Sequence, residues 1–132
     1  MSILRNPKAI GRRILFAEDH QPTRDVLALL LRKAGYIVDT APNGADAFHL
    51  FQASPSAYDV VITDHDMPEL DGVGLVRKLR EARFPGRIFV LSGGLSFPNA
   101  TTYADLRVDQ VLSKPISSRK LVEEIQGTGT LR

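Results

Sequence analysis

Polar side chains that can bind metal ions or phosphoryl groups come just after four separate apolar runs of this chain. Glu18 and Asp19 follow the first run, Asp64 follows the third, Ser92 the fourth and Lys114 the fifth. If the runs are parallel strands of an open α/β sheet, their carboxyl ends share one edge, where such sheets bind their ligands. The spacing therefore predicts that these side chains form one site.

Three of these side chains are carboxylates, and together they point to a metal ion. Carboxylates that converge without a cation raise one another's pKa values, so either a hard divalent ion lies among them or one of them is protonated. Mg²⁺ prefers oxygen ligands and commonly combines one or two carboxylates with phosphoryl oxygens. We therefore predict Mg²⁺ as the cofactor, with Glu18, Asp19 and Asp64 as candidate ligands.

The hydroxyl of Ser92 and the ammonium of Lys114 extend this prediction to phosphoryl chemistry. Both groups could hold a tetrahedral anion against Asp64, and aspartate is a known phosphoryl-accepting nucleophile. Each residue taken alone has an ordinary structural explanation as a helix cap or a turn residue. Because all of them occur at the ends of predicted strands, a shared functional site is favoured over these separate explanations.

Short apolar runs alternate with helical patterns along the whole chain, which predicts a parallel sheet wrapped by crossover helices. The runs are nearly continuous in apolarity, as strands buried on both faces must be. The five predicted strands are Ile14–Ala17, Ile37–Ala41, Val60–Thr63, Ile88–Leu91 and Val111–Leu112.

Apolar residues at spacings of three and four predict a helix after each strand. The five predicted helices run from about Pro22 to Gly35, Gly44 to Ser54, Gly72 to Pro85, Asn99 to Leu106 and Ser117 to Gln126. The inward face of the first helix is expected to contain Val26, Leu27, Leu30, Leu31 and Ala34. Gly127 and Gly129 are expected to end the ordered chain, because glycine commonly follows the last helical residue.

The composition is that of one ordinary globular domain, with 132 residues, 43% hydrophobic and 24% charged. The absence of cysteine excludes disulfides, thiolate nucleophiles and zinc–sulfur sites. No apolar run approaches the roughly 20 residues of a membrane span, and residues 1–13 lack the apolar core of a signal peptide. These features predict a cytoplasmic protein without a membrane partner. The expected oligomeric state is a monomer or a weak dimer.

The positive charge is concentrated at the start of the chain. The net charge is +2, but four of the 17 basic residues precede Ile14 and one is terminal, so residues 14–131 carry a net charge of −3. No basic patch is interleaved with aromatic residues, which argues against nucleic acid as a partner. We therefore expect a basic leader at 1–12, one domain at 13–126 and a tail at 127–132.

The segments that contain the site residues resemble the receiver domain of two-component response regulators, which has the CheY-like fold. They are Ile14–Asp19, Asp59–Asp64 with Met67-Pro68 and Asp71-Gly72, Leu91–Gly93 and Ser113–Pro115. The resemblance covers about Arg13 to Gln126 in order and spacing. It implies an α/β fold with a doubly wound, five-stranded parallel sheet of order 2-1-3-4-5 and five helices, a flavodoxin-like three-layer sandwich.

The resemblance also implies a phosphorelay function. Asp64 would be the phosphoacceptor, loaded from the phosphohistidine of a sensor histidine kinase or a histidine phosphotransfer protein, or from a small phosphodonor. Asp19 would bind Mg²⁺ directly, Glu18 would act mainly through water, and the backbone carbonyl of Asp66 would supply another ligand. The loaded domain would then change its binding to a downstream partner.

The phosphoryl group itself would be held by two residues in this resemblance. Ser92 would be the switch hydroxyl and Lys114 would pair with the phosphoryl group. The bond between Lys114 and Pro115 is a candidate for a cis peptide, which is chemically plausible because the second residue is proline.

Two positions differ from the usual pattern or are particular to this chain. Val111 stands where members of the family usually carry a Tyr or Phe, so no ring can turn there, and we expect the loop from Gly93 to Pro98 to carry the conformational change. His65, beside the acceptor, is expected to be a solvent-facing loop residue without a role, the alternative being that it tunes the phosphoryl site.

Two other functions are weighed against this one. Asp64-His65-Asp66 is also the Asp-x-Asp pattern of haloacid-dehalogenase-like phosphatases, but those enzymes place it after their first strand and need a larger core. A receiver-like scaffold that works without phosphorylation would have no reason to keep buried like charges together. We therefore predict that the protein is not an enzyme and catalyses only its own phosphotransfer and autodephosphorylation.

Overall fold

The computed structural model describes residues 11–130, in which five strands and five helices alternate. Most of the predicted basic leader, residues 1–10, lies outside the described residues. None of the helices within 11–130 has the length and apolarity needed to span a membrane. The elements are β1 (Arg13–Ala17), α1 (Gln21–Lys33), β2 (Ile37–Ala41), α2 (Gly44–Ala53), β3 (Val60–Asp64), α3 (Gly72–Glu81), β4 (Arg87–Ser92), α4 (Phe97–Asp105), β5 (Gln110–Ser113) and α5 (Ser118–Thr130).

All five strands are parallel and lie in the order β2-β1-β3-β4-β5. The chain moves outward from β1 to β2 and then crosses back to β3 on the other side of β1. The strand order therefore reverses between β1 and β3, and ligands of open α/β sheets bind outside the carboxyl ends at such a reversal. The predicted doubly wound fold and its strand order are confirmed.

The core has two halves because successive strand residues point to opposite faces of the sheet. On one face, Ile14 and Phe16 of β1 pack with α1 and α5. On the other face, Leu15 and Ala17 pack with α2, α3 and α4. The central strands are buried on both faces, as predicted.

The two edge strands depart from that prediction. Ile37 of β2 is 44% exposed and Val111 of β5 is 39% exposed. Each of these strands has a neighbour on one side only, so the helices that cover the centre of the sheet leave part of the edge in solvent.

One face residue of α1 was wrongly predicted. Leu27, Ala28 and Leu31 are buried, whereas Val26 is 54% exposed. Successive helical residues differ by about 100°, so Val26 lies on the side of Leu27 that is turned away from Ala28. The buried face of α1 is therefore narrower than the pattern of apolar residues in its sequence predicts.

The ends of α3 and α4 also differ from the predicted limits. α3 ends at Glu81 rather than near Pro85, because Arg83 takes a left-handed φ of 62° and the N–H of Phe84 turns back to Leu79 O at 2.9 Å. α4 begins at Phe97 rather than at Asn99, with Ser96 as its N-cap. A proline is tolerated in a first helical turn because its missing N–H would have had no helical partner there.

The predicted tail is partly helical, since α5 continues through Gly127 to Thr130 instead of ending at Gln126. A glycine inside a helix costs about 1 kcal/mol relative to alanine, which weakens the helix without ending it. Glycine ends a helix most effectively in the left-handed conformation, which Gly127 does not adopt.

Candidate functional site

The three predicted carboxylates converge at the carboxyl ends of β1 and β3. Glu18, Asp19 and Asp64 each offer one oxygen, and these oxygens lie within 4.8 Å of one another. Glu18 is fully buried, Asp64 is 4% exposed, and Asp19 lies at the exposed rim. β1 and β3 are adjacent and in register, with Ala17 opposite Thr63, which places the residues that follow them at the same level.

Lys114 reaches this cluster from the end of β5. Its Nζ lies 3.0 Å from Asp64 Oδ1 and 3.3 Å from Glu18 Oε1. The backbone N–H of Lys114 donates to Ser92 O at 2.8 Å, which fixes the start of this segment against β4. The peptide bond between Lys114 and Pro115 is cis, the isomer proposed from the sequence.

Burial and neighbouring charges have opposite effects on the pKa values of the buried site residues. Burial raises the pKa of Glu18, and the His20 N–H and Lys114 offset only part of that increase. Burial likewise raises the pKa of Asp64, where Lys114 and the His65 N–H oppose it and the charge of Asp19 adds to it. Burial alone lowers the pKa of Lys114, but its hydrogen bond to Asp64 and the charge of Glu18 raise it above its ordinary value.

These charges fit a divalent cation. One ammonium faces three carboxylates, so the ionised cluster has an excess negative charge of two. All three side-chain donors are hard oxygens, and one of them lies at the rim, where an ion can enter. The side chains present therefore suit Mg²⁺ better than a softer metal ion.

The side chain of Ser92 is buried at the end of its strand, whereas that of Asp66 faces solvent. Ser92 is 4% exposed at the end of β4, and its Oγ accepts a hydrogen bond from the N–H of Gly94 at 3.0 Å. The side chain of Asp66 is 91% exposed, and no oxygen of it belongs to the carboxylate cluster of the described residues. Only the backbone carbonyl of Asp66 remains a candidate ligand. The exposed side chain also weakens the phosphatase alternative, which needs both aspartates of Asp-x-Asp at the site.

His65 was wrongly expected to face solvent. It is 7% exposed, and its Nδ1 lies 2.6 Å from the hydroxyl of Tyr103 on α4. Its Nε2 lies 3.4 Å from Nδ2 of Asn99, one helical turn earlier on the same face of α4. The reason is that α4 packs over the end of β3 and covers the position that the sequence suggests is an open loop.

Sequence reasoning missed Tyr103 as a neighbour of the site. A buried tyrosine usually needs a hydrogen-bond partner for its hydroxyl. A polar-tipped ring in a short helix of mostly small and polar residues is the signal that could have identified it. The identity of the partner depends on packing between distant segments, which the local pattern does not contain.

Comparison with known proteins gives a consistent match over the region that contains the site. The family model described as response regulator receiver domain matches residues 14–126. The response regulator receiver protein CpdR of Brucella abortus (strain 2308) is 37% identical over 115 residues, which are 87% of this chain and 94% of that protein.

A longer relative and a solved structure match over the same region. The transcriptional regulatory protein CusR of Escherichia coli (strain K12) is 31% identical over 114 residues, but this chain spans only 49% of its length. The solved structure of the Vibrio cholerae chemotaxis protein CheY4 superimposes with a TM-score of 0.81 at 25% identity, covering 91% of this chain and 99% of that one. The matched family range contains every residue of the site described above.

Proposed function

Because this chain belongs to the response regulator receiver domain family, we propose that it accepts one phosphoryl group on Asp64 and changes its partner binding when loaded. One observation carries the assignment to this residue. Of the two clustered carboxylates that contact Lys114, Asp64 has the shorter contact, 3.0 Å against 3.3 Å for Glu18. The other oxygen of Glu18 is occupied by the His20 N–H. A nucleophile with a cation beside it and a metal site around it suits phosphoryl transfer.

The proposed reaction moves the phosphoryl group from a phosphohistidine to the carboxylate of Asp64. A bond forms between a carboxylate oxygen and phosphorus, and the phosphorus–nitrogen bond of the donor breaks. The electron pair of that bond stays on the imidazole nitrogen, which then takes up a proton. The product on this chain is an aspartyl phosphate, so Asp64 must be ionised at the start. Burial raises the pKa of Asp64, whereas Lys114 and the His65 N–H oppose that increase and favour the ionised form.

The proposed metal ligands are Glu18, Asp19, Asp64 and the backbone carbonyl of Asp66. When bound, Mg²⁺ would neutralise charge on the phosphoryl oxygens. The three carboxylates are supported by the convergence of their oxygens within 4.8 Å and by the ammonium of Lys114 beside them. The carbonyl of Asp66 is proposed from the resemblance to the family.

Lys114 and Ser92 are proposed to hold the phosphoryl group after transfer. The ammonium of Lys114 already lies beside the acceptor oxygen, so it can contact the new anion with little movement. Ser92 lies at the end of the neighbouring strand, and its hydroxyl has a proton to donate while its oxygen accepts from Gly94.

Membership of the family supports two further proposals, on the donor and on the extent of the domain. Receiver domains are signalling domains, and we propose a sensor histidine kinase or a histidine phosphotransfer protein as the donor. We propose that the chain catalyses only its own phosphorylation and dephosphorylation, and that the domain covers residues 13–126. The cytoplasmic location and the monomeric or weakly dimeric state stay predictions.

Incubation with acetyl phosphate and Mg²⁺ tests this function directly. Intact mass spectrometry is expected to detect one added phosphoryl group per chain, and omission of Mg²⁺ should prevent the addition. A parallel incubation with p-nitrophenyl phosphate should give no sustained release of product. Steady turnover without a loaded species would instead favour the phosphatase alternative.

Asp19→Asn is expected to weaken Mg²⁺ binding far more than Glu18→Gln. We expect a loss of about 100-fold for Asp19→Asn and about 10-fold for Glu18→Gln, since loss of an orienting neighbour alone typically costs 10- to 100-fold. Asp19 is the exposed carboxylate at the rim, whereas Glu18 is already bonded to the His20 N–H and to Lys114. Calorimetric titration with Mg²⁺ measures both losses, and equal losses would contradict these roles.

A further inference from the structure

Among the described side chains of helix α4, that of Tyr103 is packed most deeply into the domain. Tyr103 is fully buried, and it is the only buried residue among those of α4 whose side chains the structure describes. A helix of nine residues is marginal without tertiary packing. The position of α4 therefore depends on where the ring of Tyr103 is held.

The hydroxyl of Tyr103 lies against the backbone of the acceptor segment. It is 2.6 Å from His65 Nδ1. A Cβ added to Gly72 would lie 2.5 Å from this hydroxyl and 2.7 Å from the carbonyl oxygen of Asp64. Only glycine at position 72 permits this close approach, so the hydroxyl, the acceptor backbone and the start of α3 form one tight contact.

His65 joins this contact to the carboxylate of the acceptor. Its backbone N–H is shared between Asp64 Oδ1 at 3.0 Å and Leu91 O at 2.9 Å. A shared N–H favours the acceptor with more negative charge, and a phosphoryl group on Asp64 changes the charge of one of the two. The peptide of His65, and the ring attached to it, are therefore placed to respond to the state of Asp64.

The two ends of α4 are held differently. At its C-terminal end, Arg80 of α3 donates from Nε to Leu106 O and from Nη2 to Arg107 O, both at 2.8 Å. At its N-terminal end the helix follows Gly93 and Gly94, which are exposed and beside which an added Cβ would contact nothing within 4 Å. The described contacts of the N-terminal half with the site, from Asn99 and Tyr103, both go to His65, so a change there would move this half relative to the C-terminal end.

We infer that Tyr103 is a positioning residue that couples the state of Asp64 to helix α4 through its hydrogen bond to His65. The inference rests on the proposed phosphorylation of Asp64. Val111 on β5 has no ring to move, whereas the hydroxyl of Tyr103 is hydrogen-bonded to His65, the residue beside the acceptor. Coupling of this kind is reciprocal in free energy, so loading of Asp64 and placement of α4 affect each other equally.

The test is a double-mutant cycle on Tyr103→Phe and His65→Phe, read out by amide hydrogen exchange. Each protein is measured with Mg²⁺ alone and with Mg²⁺ plus beryllium fluoride, a phosphoryl analogue, and fluorine NMR confirms that the analogue is bound. In the wild type we expect exchange to change over residues 93–103 and to stay constant at 104–108. In Tyr103→Phe we expect this change to fall at least about fivefold, and the double variant to lose no more than either single variant.

Tyr58→Phe is the matched control. It also removes a hydroxyl from a mostly buried ring, one that donates to Asp39 Oδ2 at 2.7 Å, before β3 at the opposite end of the sheet. This variant should keep the full response of α4. An equal loss in Tyr58→Phe would mean that general destabilisation explains the result, and the inference would be wrong.

A spectroscopic measurement on the wild type makes the test independent of how the variants fold. The ¹⁵N shift of His65 Nδ1 reports its hydrogen bond to Tyr103, and it should change when beryllium fluoride binds. A bound analogue with no change in this shift, or with an undiminished α4 response in Tyr103→Phe, overturns the inference while the proposed function stands. Failure of the wild type to bind the analogue would instead overturn the proposed function and this inference with it.

Discussion

Asp64→Asn is expected to abolish phosphoryl loading, with a fall in rate of more than about 1000-fold, since removing a nucleophile has the largest effects known for single residues. The carboxamide has nearly the same size and keeps the position at the end of β3. It lacks the anionic oxygen that forms the bond to phosphorus. Intact mass spectrometry after incubation with acetyl phosphate and Mg²⁺ measures the loss.

The control for this variant is its stability without metal. Burial raises the pKa of Asp64, which means that the folded domain disfavours the charged form. The neutral amide removes this cost of burial but also the ion pair with Lys114, so the variant is expected to stay folded, which its thermal unfolding transition measures. A variant that folds and still gains one phosphoryl group per chain would show that another residue is the acceptor.

Lys114→Ala is expected to slow loading by about 100-fold, the usual cost of removing one group that stabilises a transition-state anion. Its Nζ is the cation that contacts both Asp64 and Glu18, at 3.0 and 3.3 Å. The fold should persist because the side chain is 29% exposed and lies at the edge of the core. Mg²⁺ binding should be kept, since the ammonium is not a ligand and its loss only increases the negative charge of the site. Rapid-quench kinetics and calorimetric titration separate the two effects.

Lys120→Ala provides the comparison for Lys114→Ala. Lys120 is a lysine of α5 whose partner is Glu124 at 2.9 Å, and its side chain is 57% exposed. Its removal deletes the same positive charge from the same part of the chain but not from the site. Equal loading rates in the wild type and Lys114→Ala would remove Lys114 from the site, and an equal slowing in Lys120→Ala would assign the effect to net charge.

The sheet and the convergence of acidic residues could be predicted from the sequence because both depend on local patterns. Alternation of apolar runs with helical periodicity identifies parallel strands, and the residues that end parallel strands must share one edge. Glu18, Asp19 and Asp64 are together for this reason. Lys114 could be added because the same rule applies to β5.

The tertiary structure decided the features that depend on which segments pack together. The sequence of α1 alone does not reveal how much of its apolar face the sheet covers, and Val26 is left in solvent. The glycine at position 127 predicts the end of α5, but the helix continues through it. One glycine inside a helix has only a small free-energy cost, so it does not by itself end the helix.

His65 is the clearest case of this division. Its place in the sequence, between two aspartates and after a strand, is that of many exposed loop residues. It is buried because α4, more than 30 residues later, lies across the end of β3 and brings Tyr103 within 2.6 Å of its ring. The sequence by itself determined the strands and the acidic cluster, since these follow from local periodicity and the rules of parallel sheets. The strand order was predicted from the resemblance to the receiver family. Only the tertiary structure decided what touches His65, because a hydrogen bond between distant segments is set by how their helices and strands pack.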